Sequence, residues 1–143
     1  MGEHAFSASV DWKGEDDGEG RVSAKGFQAD IALPAQFGGT REGTNAEELL
    51  LSALGSCLVM TLAYVLENKL TESPQISAQI DGKFATGPLH LVSVAVSLRV
   101  GPTDASEEVV RDAVTVAEQR CMVSGIIRKT APIDVRVAVL PGT

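Results

Sequence analysis

The chain has 143 residues, of which 44% are hydrophobic and 22% charged, and this composition suits a single folded domain, residues 1–143, rather than a disordered chain. Its 12 basic and 19 acidic residues give a net charge of −7, so neither nucleic acid nor an anionic membrane surface is an expected partner. The start, MGEHAFSASVDW, lacks the basic cluster and apolar block of a secretory signal, and we therefore expect a cytoplasmic protein.

The N-terminal part of the sequence predicts three short strands. Phe6–Trp12 alternates apolar and polar side chains with period two, which is typical of a half-buried strand. We expect Arg21–Ala24 to follow it across the charged, glycine-rich turn 13–20, and Phe27–Leu33 to form the third strand. A glycine-rich loop over residues 32–43 comes next.

The most apolar segment of the chain is Leu49–Leu66, which carries no charged side chain. Its length would fit a membrane span, but interrupting polar side chains and acidic flanks favour a buried helix over about Ala46–Asn68. We place Thr44 as its N-cap and Glu47 at the third helical position of a capping box. One layer of sheet can cover only one side of such a helix, so the pattern predicts an obligate dimer in which the helix packs on its twin.

The C-terminal half predicts further strands and helices, with Asp104 and Glu107 as a capping pair for the second long helix. The predicted elements are two strands, a helix, a short helix and a last strand, over Pro74–Phe84, His90–Val100, Ala105–Gln119, Met122–Lys129 and Ile133–Val139. The order β-β-β-α-β-β-α-β predicts an α+β fold of antiparallel hairpins with segregated helices.

The two cysteines, Cys57 and Cys121, are the first candidates for chemistry. In a reducing compartment they are either small core hydrophobes, which composition alone favours, or a catalytic or redox-sensing pair. A reactive thiolate needs a nearby cation or a helix N-terminus. Together with His4 and His90 the cysteines lack the spacing of a zinc finger or ribbon, so we expect no metal and no cofactor.

Arg41 lies in the loop before the central helix and has two possible roles. It is either a solvated loop arginine or a guanidinium that Glu47 holds and directs toward the thiol. Arg21 is the second candidate for that role. Because Glu47 and Cys57 are ten positions apart, about 15 Å along one helix, they can meet only where the helices of two chains cross antiparallel.

Three short motifs carry a resemblance to a known family. The runs GTNAEELL (43–50), ALGSC (53–57) and CMVS (121–124) resemble the OsmC/Ohr family of osmotically inducible protein C and organic hydroperoxide resistance proteins. The resemblance implies a thiol-dependent peroxidase of oxidative-stress defence that reduces organic hydroperoxides and also hydrogen peroxide. It implies that Cys57 is the peroxidatic cysteine, that Cys121 resolves it, and that Glu47 orients an arginine, for which Arg41 is the candidate.

The resemblance also implies a quaternary structure and a reductant. The expected fold is an intertwined homodimer, with antiparallel sheets wrapped around two central helices, two interfacial sites, and a dithiol such as a lipoylated protein as reductant. Ala46 and Met122 stand where the family often has proline. The first hairpin turn lacks the arginine of the organic-hydroperoxide branch, which favours the OsmC-like branch. The alternative is a non-catalytic redox-sensing or small-molecule-binding protein on the same fold.

Overall fold

The computed structural model describes residues 2–142, which form an N-terminal unit (residues 2–49) and a C-terminal unit (residues 50–142). Each unit contains a three-stranded sheet, and the α+β class is confirmed. The elements are β1 Ser9–Lys13, β2 Glu19–Ala24, β3 Phe27–Ile31, α1 Ala46–Leu66, β4 Ile76–Ala85, β5 His90–Thr103, α2 Glu107–Arg120, α3 Met122–Arg128 and β6 Ile133–Pro141. A short 3₁₀ helix, Ala35–Phe37, lies between β3 and α1.

The N-terminal unit is an antiparallel meander in the order β1-β2-β3. Val10 of β1 lies opposite Val22 of β2, which in turn lies opposite Ala29 of β3. Every residue of β1 is exposed, including Val10 at 63%, so the expectation of a half-buried first strand is wrong for this chain. The reason is that residues 2–49 contain one sheet and no second sheet to cover it.

Helix α1 begins one residue later than the capping box predicts. The backbone of Thr44 is already bonded beside β3, its N–H to the Asp30 carbonyl at 2.8 Å and its carbonyl to the Ala32 N–H at 2.9 Å. Asn45 therefore takes the N-cap position, and its side-chain oxygen accepts the Glu48 N–H at 2.9 Å. The Thr44 hydroxyl instead donates to the Glu48 carboxylate at 2.9 Å, so the assignment of Thr44 and Glu47 as the capping pair is wrong.

The C-terminal unit has the strand order β4-β5-β6. The β4 and β5 strands form an antiparallel hairpin in which Ile80 lies opposite Val96. The β5 and β6 strands are parallel, with Val96 beside Val135, whereas antiparallel hairpins were expected throughout. The chain runs from β5 to β6 through α2 and α3, and a crossover of this kind returns the strand in the parallel direction.

One side of α1 fills the core of the C-terminal unit. Its buried leucines recur every four residues, as expected for one face of a helix. They are Leu54, Leu58, Leu62 and Leu66. They share one buried cluster with the inward side chains of β5, which are Val94, Val96, Leu98 and Val100, and with apolar residues of α2, α3 and β6. This cluster holds α1, β5 and α2 in one fixed packing arrangement.

The other side of α1 is open in the single chain. Met60 and Tyr64 are 65% and 69% exposed, and only a third of the helix's most apolar window is buried. By length and composition alone α1 could cross a membrane. The expected burial on nearly every side is therefore not reached by the single chain.

Helix α2 also begins later than expected, at Glu107 rather than Ala105. Its N-cap is Ser106, whose hydroxyl oxygen accepts the Val109 N–H at 3.2 Å. The expected capping pair of Asp104 and Glu107 is wrong, because Ser106 directly precedes the first helical residue and satisfies the N–H group itself.

The Ser106 cap should contribute to the stability of the fold. We expect Ser106→Ala to lower the free energy of unfolding by about 1 kcal/mol, because it leaves a helix-end N–H without its partner. Urea denaturation of the wild type and of this variant, at equal protein concentration, measures the difference. Asp104→Ala is the comparison variant, and a larger loss there than in Ser106→Ala would contradict the assignment of the cap.

Candidate active site

The two cysteines occupy different kinds of position in the C-terminal unit. Cys57 lies in the middle of α1 and is partly exposed. Cys121 is the single residue between α2 and α3, and it is 2% exposed. Its N–H donates to the Ala117 carbonyl at 2.8 Å, and its sulfur accepts the Ser124 N–H at 3.4 Å. Both cysteines are free thiols.

The two thiols lie close enough for each to affect the pKa of the other. Partial burial raises that pKa. The Cys121 thiol, the N–H groups of Val123 and Met122 and the Thr61 hydroxyl all donate hydrogen bonds that lower it, and the net pKa lies below that of an ordinary thiol. Cys57 is therefore the sulfur of the pair that ionises first as the pH rises.

The pKa of Cys121 is shifted in the opposite direction. Burial raises it, the hydrogen bond from the Ser124 side chain lowers it, and donation to the Cys57 sulfur raises it again. The net pKa of Cys121 lies above that of an ordinary thiol. When the pair has lost one proton, Cys57 is the thiolate and the remaining proton stays on Cys121.

The Thr61 hydroxyl stabilises a charge on Cys57 less than the backbone groups do, because it has one proton and that proton has another acceptor. That proton is donated to the Cys57 carbonyl at 2.7 Å, the bond expected of a threonine one turn further along a helix. Thr61 can donate to the thiolate only by leaving this carbonyl. The N–H groups of Met122 and Val123 are fixed by the backbone, so we give them the larger share of the effect.

Arg41 lies in the N-terminal unit, where its contacts differ from those expected. Its guanidinium donates to the Glu19 carboxylate at 2.9 Å and to the Asp17 carbonyl at 3.2 Å. Thr40 fixes this turn, because its hydroxyl and N–H both donate to the Asp17 carboxylate and hold the pKa of Asp17 below its usual value. Glu47 is half-buried in the first turn of α1, and within residues 2–142 it makes no ion pair with Arg41.

Arg21, the second candidate, lies in the same unit on β2. It donates to Asp30 at 3.2 Å and to Gln28 at 2.7 Å, both on β3. Arg21 and Arg41 line one open groove of about 660 Å³, together with Trp12. The structure thus groups the two cysteines in one unit and the two candidate arginines in the other. In the part of the chain described, no three His, Cys, Asp or Glu side chains are placed to hold a metal ion.

Sequence reasoning missed the groups that surround the two sulfurs. Ser124 is buried and donates to Cys121, while Met122 and Val123 donate to Cys57. A signal for Ser124 exists, because a serine three residues after a cysteine follows the spacing between an N-cap residue and the N–H it accepts. No signal for the backbone donors exists, because any residue type could supply them.

Comparisons with known proteins agree with this architecture. A family model described as OsmC-like protein matches residues 38–136. The uncharacterized protein YmaD of Bacillus subtilis (strain 168) is 27% identical over 153 aligned residues, which cover 99% of both chains. An OsmC-like protein from Mycoplasma pneumoniae superposes with a TM-score of 0.80 at 17% identity, covering 96% of this chain and 99% of the other.

Two further structures that resemble this fold carry functional names. One is an organic hydroperoxide resistance protein OsmC from Legionella pneumophila, with a TM-score of 0.75 at 19% identity over 95% of this chain and 99% of the other. The second is the organic hydroperoxide resistance protein OhrB of Bacillus subtilis, with a TM-score of 0.72 at 19% identity over 93% and 98%. At these identities the likeness is one of fold.

The opposite pKa shifts of the two thiols predict which one reacts first with an alkylating agent. Iodoacetamide reacts with thiolates, so labelling of Cys57 should rise at a pH below that of an ordinary thiol, near 8.5, and labelling of Cys121 at a higher pH. Mass spectrometry of the labelled peptides across pH gives both midpoints. Coinciding midpoints would contradict the hydrogen-bonded pair.

Substitution of Cys121 tests the thiol–thiolate bond itself. Cys121→Ala removes the donor, so the pKa of Cys57 should rise, which is seen as a shift of its labelling midpoint to higher pH. Cys121→Ser is the matched control, because a hydroxyl still donates and should preserve most of the lowered pKa. Equal midpoints in the wild type and in Cys121→Ala would show that the bond does not act on Cys57.

Proposed function

Because the chain belongs to the OsmC-like protein family, we propose that it is a thiol-dependent peroxidase that reduces organic hydroperoxides. One observation carries the proposal: a cysteine with a lowered pKa, Cys57, accepts a hydrogen bond from a second cysteine with a raised pKa, Cys121. A peroxidatic thiol reacts as a thiolate, so the lowered pKa of Cys57 suits that role. The names of the two organic hydroperoxide resistance proteins that share the fold support this class of substrate.

The first step is oxidation of Cys57. Its thiolate attacks the distal peroxide oxygen, the O–O bond breaks, and an alkoxide leaves and takes up a proton. Cys57 is then a sulfenic acid. The N–H groups of Met122 and Val123 hold the attacking sulfur as an anion in the ground state. Both cysteines pack among apolar side chains, and these side chains favour a hydroperoxide with an apolar tail.

The second step joins the two cysteines. The Cys121 sulfur attacks the sulfenic sulfur of Cys57, hydroxide leaves as water, and a disulfide forms. The hydrogen bond between the two thiols supports this step, because the sulfurs are already neighbours before oxidation. An external dithiol, for which a lipoyl group is our candidate, then restores both thiols. Hydrogen peroxide is a second possible substrate of the same chemistry.

Arg41 and Glu47 complete the proposed site. The groups that lower the pKa of Cys57 are hydrogen-bond donors of the C-terminal unit and include no cation, so a guanidinium would stabilise the thiolate further. We assign this guanidinium to Arg41, oriented by Glu47, with Arg21 as the second choice. A homodimer in which the exposed side of α1 packs on a second copy would complete this site. In that arrangement α1 is a buried helix of a soluble, cytoplasmic protein rather than a membrane span.

Single-cysteine variants test the division of roles. Cys57→Ser should reduce the consumption of cumene hydroperoxide to background, because no thiolate remains to attack the peroxide. Cys121→Ser should consume one equivalent per chain and then stall as a sulfenic acid, which dimedone labelling detects. Wild-type consumption by Cys57→Ser would overturn the proposal. Loss of neither thiol after one equivalent would favour a small-molecule-binding protein.

The exposed side of α1 makes a prediction about assembly. Met60 and Tyr64 would become buried in a dimer, so Tyr64→Glu should place a charge in an apolar interface and yield a monomer in light scattering. Leu89→Glu is the matched control, because Leu89 is 48% exposed in a turn outside α1 and should leave the dimer intact. A monomeric wild type at micromolar concentration would contradict the proposed dimer.

A further inference from the structure

The two sulfurs of the proposed disulfide differ in their access to solvent. Cys121 is 2% exposed, and its main chain is fixed on both sides by the Cys121 N–H bond to Ala117 and by the Gly125 N–H bond to the Cys121 carbonyl at 3.1 Å. Cys57 is partly exposed. A second copy of the chain could reduce the exposure of either sulfur but could not increase that of Cys121. A reductant approaching from solvent therefore meets Cys57.

We infer that the external dithiol attacks the Cys57 sulfur of the disulfide, and that Cys121 leaves as a thiolate stabilised by Ser124. This inference rests on the proposed function for the origin of the disulfide, and it states which of the two disulfide sulfurs the reductant attacks. It also assigns Ser124 the role of stabilising the leaving sulfur.

A competing effect favours the opposite direction of attack. In thiol–disulfide exchange the sulfur with the lower pKa leaves faster, and that sulfur is Cys57. This preference is graded, because a difference of one pKa unit changes the rate by a few-fold when the dependence has a slope of about one half. Burial acts differently, because it prevents the reaction instead of slowing it. A thiolate that cannot reach the Cys121 sulfur in line with the S–S bond cannot react there. Access therefore decides the direction.

Ser124 offsets the poorer leaving ability of Cys121. It is 1% exposed, and both its N–H, at 3.4 Å, and its hydroxyl donate to the Cys121 sulfur. These two donors stabilise the anion that forms on Cys121 when the S–S bond breaks. The N–H bond caps α3, since Cys121 is the N-cap residue of that helix, and the same donor faces the sulfur when it becomes an anion.

The reduction balances as two exchanges. A thiolate of the external dithiol bonds to the Cys57 sulfur, the Cys57–Cys121 bond breaks, and its electron pair goes to Cys121, which then takes up a proton. The second thiol of the reductant then loses its proton and attacks the reductant sulfur that is bonded to Cys57. This attack releases Cys57 as a thiolate and the reductant as a cyclic disulfide. Two electrons pass to the protein and two thiols are restored.

Trapping of the mixed disulfide tests the direction of attack. The full chain is oxidised with diamide, which forms the disulfide without relying on peroxidase activity, and the bond between Cys57 and Cys121 is confirmed by peptide mapping. A short exposure to 2-mercaptoethanol, an acid quench and a second mapping then locate the adduct. We expect at least tenfold more adduct on Cys57 than on Cys121. An adduct mainly on Cys121, or equal amounts on both, overturns the inference.

The rate of reduction tests the role of Ser124. Ser124→Ala should slow reduction of the diamide-oxidised protein by dithiothreitol by about tenfold, the loss expected when a hydrogen bond to a forming charge is removed. It should also raise the pKa of Cys121, which is seen without any reagent as a shift of the thiolate ultraviolet absorbance to higher pH in a Cys57→Ser background, a change that a merely structural role would not produce. Ser97→Ala, an exposed site on β5, is the control and should reduce at the wild-type rate. An unchanged rate in Ser124→Ala overturns the assignment of Ser124.

The failure of this inference is distinguishable from failure of the proposed function. If hydroperoxide leaves both thiols intact while the diamide-formed disulfide is attacked at Cys57, the peroxidase proposal is wrong and the direction of attack still holds. If hydroperoxide is consumed but the adduct lies on Cys121, the peroxidase proposal holds and the direction is wrong.

Discussion

The hydrogen bond between the thiol of Cys121 and the sulfur of Cys57 links the packing of the C-terminal unit to its chemistry. Each sulfur shifts the pKa of the other, and in the singly ionised pair one proton remains for both. The donors on each side then decide where the proton stays. Met122 and Val123 favour the anion on Cys57, and burial keeps Cys121 neutral. The two neighbouring sulfurs therefore differ in how readily they ionise.

The apolar core holds the two sulfurs together. Leu54 and Leu58, on either side of Cys57 in the sequence, pack into the buried cluster with β5 and α2, and so fix the position of α1. On the other side, Ala117 accepts the Cys121 N–H, which ends α2 at a defined residue and starts α3 directly afterwards. Neither cysteine is held by its own bonding alone. A loss of core packing would separate the sulfurs and remove the lowered pKa of Cys57.

The sequence predicts the elements of the fold well where hydrophobic periodicity is strong, and it predicts their ends poorly. The alternation of β5 indicates one buried face, and the structure has it. Helix α1 was expected where it lies, but its apolar residues indicated burial on nearly every side, and the single chain buries one side. The cap at Thr44 was wrong because its backbone bonds to β3, a contact across the sheet that no local pattern contains. For the same reason the partner of Arg41, which is Glu19, lies 22 positions away and was not predicted. The meeting of Cys57 and Cys121 was implied only by the family resemblance.

In the proposed site, Arg41 would have to leave its ion pair with Glu19 in order to contact the Cys57 thiolate. Arg41 and Glu19 are half-exposed or more, and a solvated pair of this kind contributes only about 0–1 kcal/mol, so the guanidinium loses little by leaving it. A thiolate in partly buried surroundings is less well hydrated, and the same guanidinium would gain more from it. In the proposed site, the exchange would therefore be favourable only while Cys57 is an anion. Oxidation of Cys57 would remove that charge and would leave the carboxylate of Glu19 as the better partner for Arg41.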